Sequence, residues 1–207
     1  MDRKLTTMGE VNQKFNIQGI NHVALVCQDM QKTVDFYHGI LGMPIIKTYE
    51  IGPNGKFGQH FFFDIGGGSL AFFWFPDAPA GISGITSVPS PMGQGKLTMT
   101  ALGTMNHIAL NVDADMLDEY REKLEAAGVE CSPVIHHNDV APSTGPNALQ
   151  YVHETNWVSG FYFLDPNGIQ IELAGFTRQF NETDVLSTPA KAEDAASWAD
   201  KRETLTT

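Results

Sequence analysis

The chain has 207 residues, of which 42% are hydrophobic, and a formal charge of -11 at pH 7; that is enough for one sizeable core or two small modules sharing one. An acidic surface repels polyanions, which sets a nucleic-acid partner aside, and two cysteines outside any Cys-x-x-Cys pair, Cys27 and Cys131, suggest neither a disulfide framework nor a thiolate metal site. Met1-Asp2-Arg3-Lys4 leads into polar residues and no stretch approaches the ~20 apolar residues of a membrane span, so a cytoplasmic protein with no membrane partner is expected.

Along the chain, residues 1–17 form an N-terminal segment and residues 18–80 a first module. It begins with the strand-like run Ile20-Asn21-His22-Val23-Ala24-Leu25-Val26, followed by a helical pattern from Met30 to Leu41 that Gly42 stops. A strand, a glycine turn and another strand follow around Asp64-Ile65-Gly66-Gly67-Gly68-Ser69-Leu70-Ala71-Phe72. Residues 81–103, rich in Gly, Pro and Ser, read as a linker, with a possible strand near Lys96 to Leu102.

Residues 104–176 repeat the plan. Met105-Asn106-His107-Ile108-Ala109-Leu110-Asn111 restates the first run at an offset of 85, and a helical pattern from Asp115 to Ala127 ends at Gly128. Asp165-Pro166-Asn167-Gly168-Ile169-Gln170-Ile171-Glu172-Leu173 aligns with the first-module turn at an offset of 101. The growth in offset is assigned to the polar stretch His136 to Asn156, a candidate covering loop. Residues 177–207 form a polar tail with a short helix around Ala190 to Thr204, whose Trp198 would dock on the body or on a second subunit. The fold expected is α+β: two βαβββ modules forming a cup-shaped, barrel-like sheet around a metal site.

Alternation puts His22 on one strand face with Ala24 and Val26, and His107 with Ala109 and Asn111; Val23, Leu25, Ile108 and Leu110 form the apolar set that packs on helices. The same counting puts Glu172 on the histidine side of its strand. Two imidazoles and a carboxylate on an inner face are expensive to bury unpaired, and a divalent cation is the usual solution. His22, His107 and Glu172 are therefore the candidate metal ligands. One hard oxygen with two borderline nitrogens fits Fe(II) best, with Mn(II), Zn(II) or Ni(II) also compatible.

The motifs Asn21-His22-Val23-Ala24-Leu25, Asp35-Phe36-Tyr37-His38-Gly39-Ile40-Leu41-Gly42, Asn106-His107-Ile108-Ala109-Leu110 and Asp165 through Leu173 resemble the vicinal oxygen chelate superfamily over residues 18 to 176. Its members include glyoxalase I, methylmalonyl-CoA epimerase, fosfomycin-resistance thiol transferases, bleomycin-binding proteins and type I extradiol dioxygenases. The run His153, Tyr162, Glu172, at intervals of nine and ten, is similar to the extradiol signature. That resemblance implies ring cleavage of a catechol-like aromatic diol by O2 at non-haem Fe(II), with His153 and Tyr162 as catalytic residues, in a homo-oligomer. Ala71 stands where the glyoxalase-like members carry a fourth ligand, which speaks against the isomerases. The alternatives are a metal-dependent glyoxalase-, epimerase- or thiol-transferase-like enzyme, and a metal-free binding protein of the same superfamily.

One departure from the extradiol pattern is the stretch Gly66-Gly67-Gly68-Ser69, where a further acid-base histidine is usual. Counting back from the matched Asp64 and Asp165 puts His60 on the face away from Tyr162, hence non-catalytic, and makes Phe61 and Phe63 lining residues of the cup, with Trp74 or Trp157 near its mouth. His38, and His136 and His137 on the long loop, are read as surface residues, with the loop pair as the secondary candidate for that acid-base role.

Overall fold

The computed structural model describes residues 15–91, 100–139, 150–181, 184 and 189–194. Residues 11–179 form one compact unit that holds both modules; residues 1–10 and 180–207 group separately. Residues 140–149 of the candidate covering loop, the linker strand over 96–99, and the tail helix from 195 onward with Trp198 lie outside the described residues. The described part of the tail contains a short 3-10 turn at Ala192–Asp194, and residues 100–102 carry no strand.

The first module consists of β1 (His22–Cys27), α1 (Met30–Val34), β2 (Ile45–Ile51), β3 (Gly58–Asp64) and β4 (Ser69–Trp74). The second consists of β5 (Ile108–Asn111), α2 (Leu117–Ala126), β6 (Ile135–Asn138), β7 (Asn156–Leu164) and β8 (Gln170–Phe176). Each module makes one four-stranded mixed sheet, in the order β1-β4-β3-β2 and β5-β8-β7-β6, with the histidine strand parallel to the last strand. The α+β class and the two βαβββ units stand as expected. The sheets are not closed into one barrel: β1 and β5 are edge strands of separate sheets.

The first helix begins at Met30 as expected, whereas residues 114–116, where the second was expected to start, form a 3-10 turn and α2 proper begins at Leu117. The Asp29 side chain accepts from the Lys32 backbone N–H and caps α1, satisfying one of the free donors of a helix start. Beyond Val34 the helix widens into π-type turns over Asp35–Ile40, with Leu41 N donating to Phe36 O at 3.0 Å. Gly42 and Gly128, at φ of 72° and 85°, take the left-handed conformation that ends each helical segment.

The widened turn carries Phe36 and Tyr37 into the core. Tyr37 is fully buried, with its ring 4.7 Å from Phe72 and 5.7 Å from Phe63. Phe36 reaches across to Phe163 of β7 at 6.2 Å, while the Tyr37 hydroxyl donates to Asp165 Oδ2 at 3.1 Å. Next to α1, Gln28 N donates to Asn167 Oδ1 at 2.9 Å. Burial is the main cause that holds both the Tyr37 hydroxyl and the Asp165 carboxyl above their ordinary ranges. A single buried cluster therefore includes Phe63, Leu70 and Phe72 from one sheet and Phe161, Phe163 and Ile171 from the other. Each sheet gives its apolar face to this common core, which leaves the histidine-bearing faces as the outer ones.

Register corrects one part of the sequence reading. Phe62 pairs with Ala71, and Tyr162 pairs with Glu172; thus β3 and β7 correspond at an offset of 100, while β4 and β8 keep 101. The reason is the turn. Four residues, 65–68, separate the paired Asp64 and Ser69, whereas five, 165–169, separate Leu164 and Gln170. A slip of one residue exchanges the two faces of a strand. Phe61 and Phe63 accordingly point into the core, and His60 and Phe62 lie on the open face. Trp74 also packs against the core, with its Nε1 donating to Gln28 O at 3.1 Å. Trp157 is the extra residue at a bulge in the pairing of β7 with β6, and its ring lies 5.8 Å from that of His137.

Candidate functional site

The second module assembles a compact polar cluster on its outer sheet face. His107 stands one residue ahead of β5, and Glu172 is on the neighbouring β8; His107 Nε2 lies 3.2 Å from Glu172 Oε2. Tyr162, paired with Glu172 across β7 and β8, hydrogen-bonds the carboxylate and sets its ring edge-on to His107 at 5.6 Å. Glu172 and Tyr162 are only 5% and 2% exposed. Burial, and then the Glu172 charge, push the Tyr162 hydroxyl well above its ordinary range, so it stays protonated and serves as a donor.

Gly160 makes room for that carboxylate. A Cβ at this position would lie 2.6 Å from Glu172 Oε1 and 2.8 Å from Leu173 O, closer than non-bonded atoms approach. Bare glycine on a strand marks such an approach.

Both candidate histidines are oriented by the asparagine that precedes them. His22 Nδ1 lies 2.7 Å from Asn21 Oδ1, and His107 Nδ1 lies 2.8 Å from Asn106 Oδ1. An amide oxygen only accepts, so in each neutral ring Nδ1 carries the proton and Nε2 keeps its lone pair for a ligand. Asn21 and Asn106 were not singled out in the sequence; the repeated Asn-His dipeptide was their signal.

The first module keeps the histidine, as His22, and changes the residues around it. Ala71 stands in place of Glu172, Phe62 in place of Tyr162 and His60 in place of Gly160, with Phe73 in place of Ala174. His22 leans edge-on against Phe62 at 5.6 Å, as His107 does against Tyr162. His60 is 4% exposed, with its ring stacked on Phe73 at 3.5 Å and its Nδ1 2.8 Å from the Tyr49 hydroxyl. Burial, and then His22, push His60 below the usual histidine range. Its Nε2 is buried without a hydrogen-bond partner, a condition that costs about 1–3 kcal/mol.

The remaining histidines sit elsewhere. His153 lies in an exposed turn, where its Nδ1 accepts from Thr155 N at 3.1 Å and lies 2.9 Å from Thr155 Oγ1. His136 and His137, expected on a loop, are in β6, and His136 Nδ1 is 2.8 Å from Ser159 Oγ. His38, at the helix end, has Nδ1 2.9 Å from Met43 O.

The donor set of the second module fits a divalent cation: an imidazole nitrogen with a free lone pair beside a buried carboxylate whose charge needs a partner. Among the described residues no three His, Cys, Asp or Glu side chains gather into a metal-binding group. His22 is thus not brought together with His107 and Glu172 within the chain.

The profile of the Glyoxalase/Bleomycin resistance protein/Dioxygenase superfamily matches residues 19–173. The chain belongs to this superfamily. Among solved structures it is similar to a glyoxalase family protein from Enterococcus faecalis, at 23% identity and a TM-score of 0.52 over 76% of this chain and 97% of that one. It is likewise similar to the genomically encoded fosfomycin resistance protein FosX from Listeria monocytogenes, in its monoclinic form at pH 6.5, at 22% identity and a TM-score of 0.50 over 78% and 95% of the two chains. FosX has also been solved in complex with Mn(II) and sulfate, and that structure gives 21% identity and a TM-score of 0.47 over 77% and 93%. No curated protein sequence matches the chain. No helix among the described residues is long and apolar enough to cross a membrane.

Proposed function

We propose that the protein is a metal-dependent enzyme that cleaves a catechol-like aromatic diol with O2, outside the two hydroxyls. The observation that supports this reading is the cluster of His107, Tyr162 and Glu172 on one sheet face. Fe(II) is the metal of choice, with Mn(II) as the nearest substitute. Bound beside this cluster, such a metal lowers the pKa of a catechol hydroxyl and supplies redox capacity towards O2.

The chain's own residues then do the following. His107 and Glu172 hold the metal, with His22 as the third ligand. Tyr162, kept protonated by burial, donates to a ring oxygen and fixes the diol's orientation. His153 supplies a proton to the reacting oxygen; from its exposed turn it does so only if residues 150–155 fold over the second-module floor.

A second copy of the chain completes the ligand set in this proposal. The modules meet through their helix sides, so the His22 face of one copy covers the His107 and Glu172 face of another. This makes the expected homo-oligomer a requirement of the site. Mixing His22→Ala with His107→Ala protein should then restore activity that neither variant has alone.

The deciding experiment is anaerobic loading with Fe(II), followed by air and a panel of catechols. Oxygen uptake equal to semialdehyde formed, and dependent on iron, is expected. Tight metal binding without uptake would replace ring cleavage with Lewis-acid chemistry of the isomerase or transferase kind.

A further inference from the structure

The floor of the first module contains a group that the metal cluster does not use. His60 occupies the strand position that Gly160 leaves bare in the second module. Its ring therefore fills the space corresponding to that of the Glu172 carboxylate, which passes over Gly160. Tyr49, its cross-strand partner on β2, braces Nδ1 at 2.8 Å, and Phe73 and Phe62 flank the ring at 3.5 and 4.4 Å. With the Tyr49 hydroxyl donating to Nδ1, the ring proton sits on Nε2. That atom is buried and has no partner in the free protein.

We propose that His60 is a ligand-binding residue of the first-module floor, whose Nε2–H donates to a phenolate-type oxygen on an aromatic ligand. The inference rests on the reading of the cup faces as the substrate site. Every neighbour of His60 suits this chemistry. Phe62, Phe73 and Phe75 form an aromatic platform, with Phe73 and Phe75 stacked at 5.2 Å and 11°, and such a surface takes a flat ring. Phe62 touches both His60 and His22. Ala71, in the place of Glu172, puts a methyl group rather than a carboxylate beside this floor.

The test is equilibrium binding, with 4-nitrocatechol titrated anaerobically into the Fe(II)-loaded protein and followed by its visible absorbance. His60→Phe keeps the stack and deletes the donor, and should weaken binding roughly tenfold, the worth of one good hydrogen bond. His60→Gln restores an N–H near the Nε2 position and should recover most of that loss, which a merely structural role would not predict. Tyr49→Phe, which deletes the brace on Nδ1, should weaken binding about threefold by freeing the tautomer. Wild-type affinity in both His60→Phe and Tyr49→Phe overturns the proposal while leaving the site reading intact. If His60→Phe does not fold, unchanged affinity in Tyr49→Phe alone overturns it. Absence of probe binding and of oxygen uptake in the wild type overturns the site reading and this proposal together.

Discussion

The two sheet floors were built from one plan and filled with opposite chemistry. In the second module a glycine, a tyrosine and a glutamate make a polar cluster around His107; in the first, His60, Phe62 and Ala71 surround His22 with rings and a methyl group. The histidine keeps the same edge-on aromatic neighbour at 5.6 Å in both. The repeat thus preserves the backbone plan and the imidazole, while the two strands beside it give each floor its own chemistry. In the proposed reading, one floor takes a cation and its bound oxygens, and the other the flat body of a ligand.

Variants that make the floors alike should break this division. The largest effect is expected for Glu172→Ala, which gives the second module the residue of the first. Iron retention and oxygen uptake should both be lost, beyond the 10–100-fold that loss of an outer partner costs, as read by metal content after gel filtration. Asn106→Ala should show that smaller, roughly 10–100-fold loss of metal affinity with the fold intact.

The comparison also holds in the core, where both floors rest on the same rings. Phe163→Ala removes a fully buried ring that meets Phe36 and Phe161, and should cost about 3–5 kcal/mol in urea unfolding. Tyr162→Phe copies Phe62 into the second module; turnover should fall about 10²-fold with stability nearly unchanged, and an unaltered turnover would remove Tyr162 from the chemistry. The smallest effect belongs to Tyr37→Phe. Deleting its bond to Asp165 should cost about 1 kcal/mol, seen as a shifted unfolding midpoint.

Much of this plan could be read in the sequence, because strand alternation and the repeated Asn-His run act locally. The faces of β1 and β8, and with them the sides on which His22 and Glu172 lie, follow from counting by twos within a strand. His60, Phe61 and Phe63 were assigned to the wrong faces because that count was carried across a turn. Aligning Asp64 with Asp165 assumed turns of equal length, and no local signal distinguishes four residues from five. The widened turn at Asp35–Ile40 was equally hidden, since a helical pattern from Met30 to Leu41 fits ordinary α periodicity too. The strand nature of His136 and His137 depends on pairing with β7, a non-local contact that polar sequence around it disguises. The separation of His22 from His107 and Glu172 is a matter of how modules pack, which alternation does not address.

The unequal turns bear on how this chain tolerates changes in length. A residue gained or lost between β3 and β4, or between β7 and β8, leaves both strands in register, because the loop absorbs it. The same change inside β3 would send His60 to the interior and Phe61 to the surface. Deletion scanning across positions 58 to 74 should therefore find permissive positions at 65–68 bounded on both sides by intolerant ones. In the second module the corresponding window should be narrower at one end, since Asp165 there also carries the tie to Tyr37.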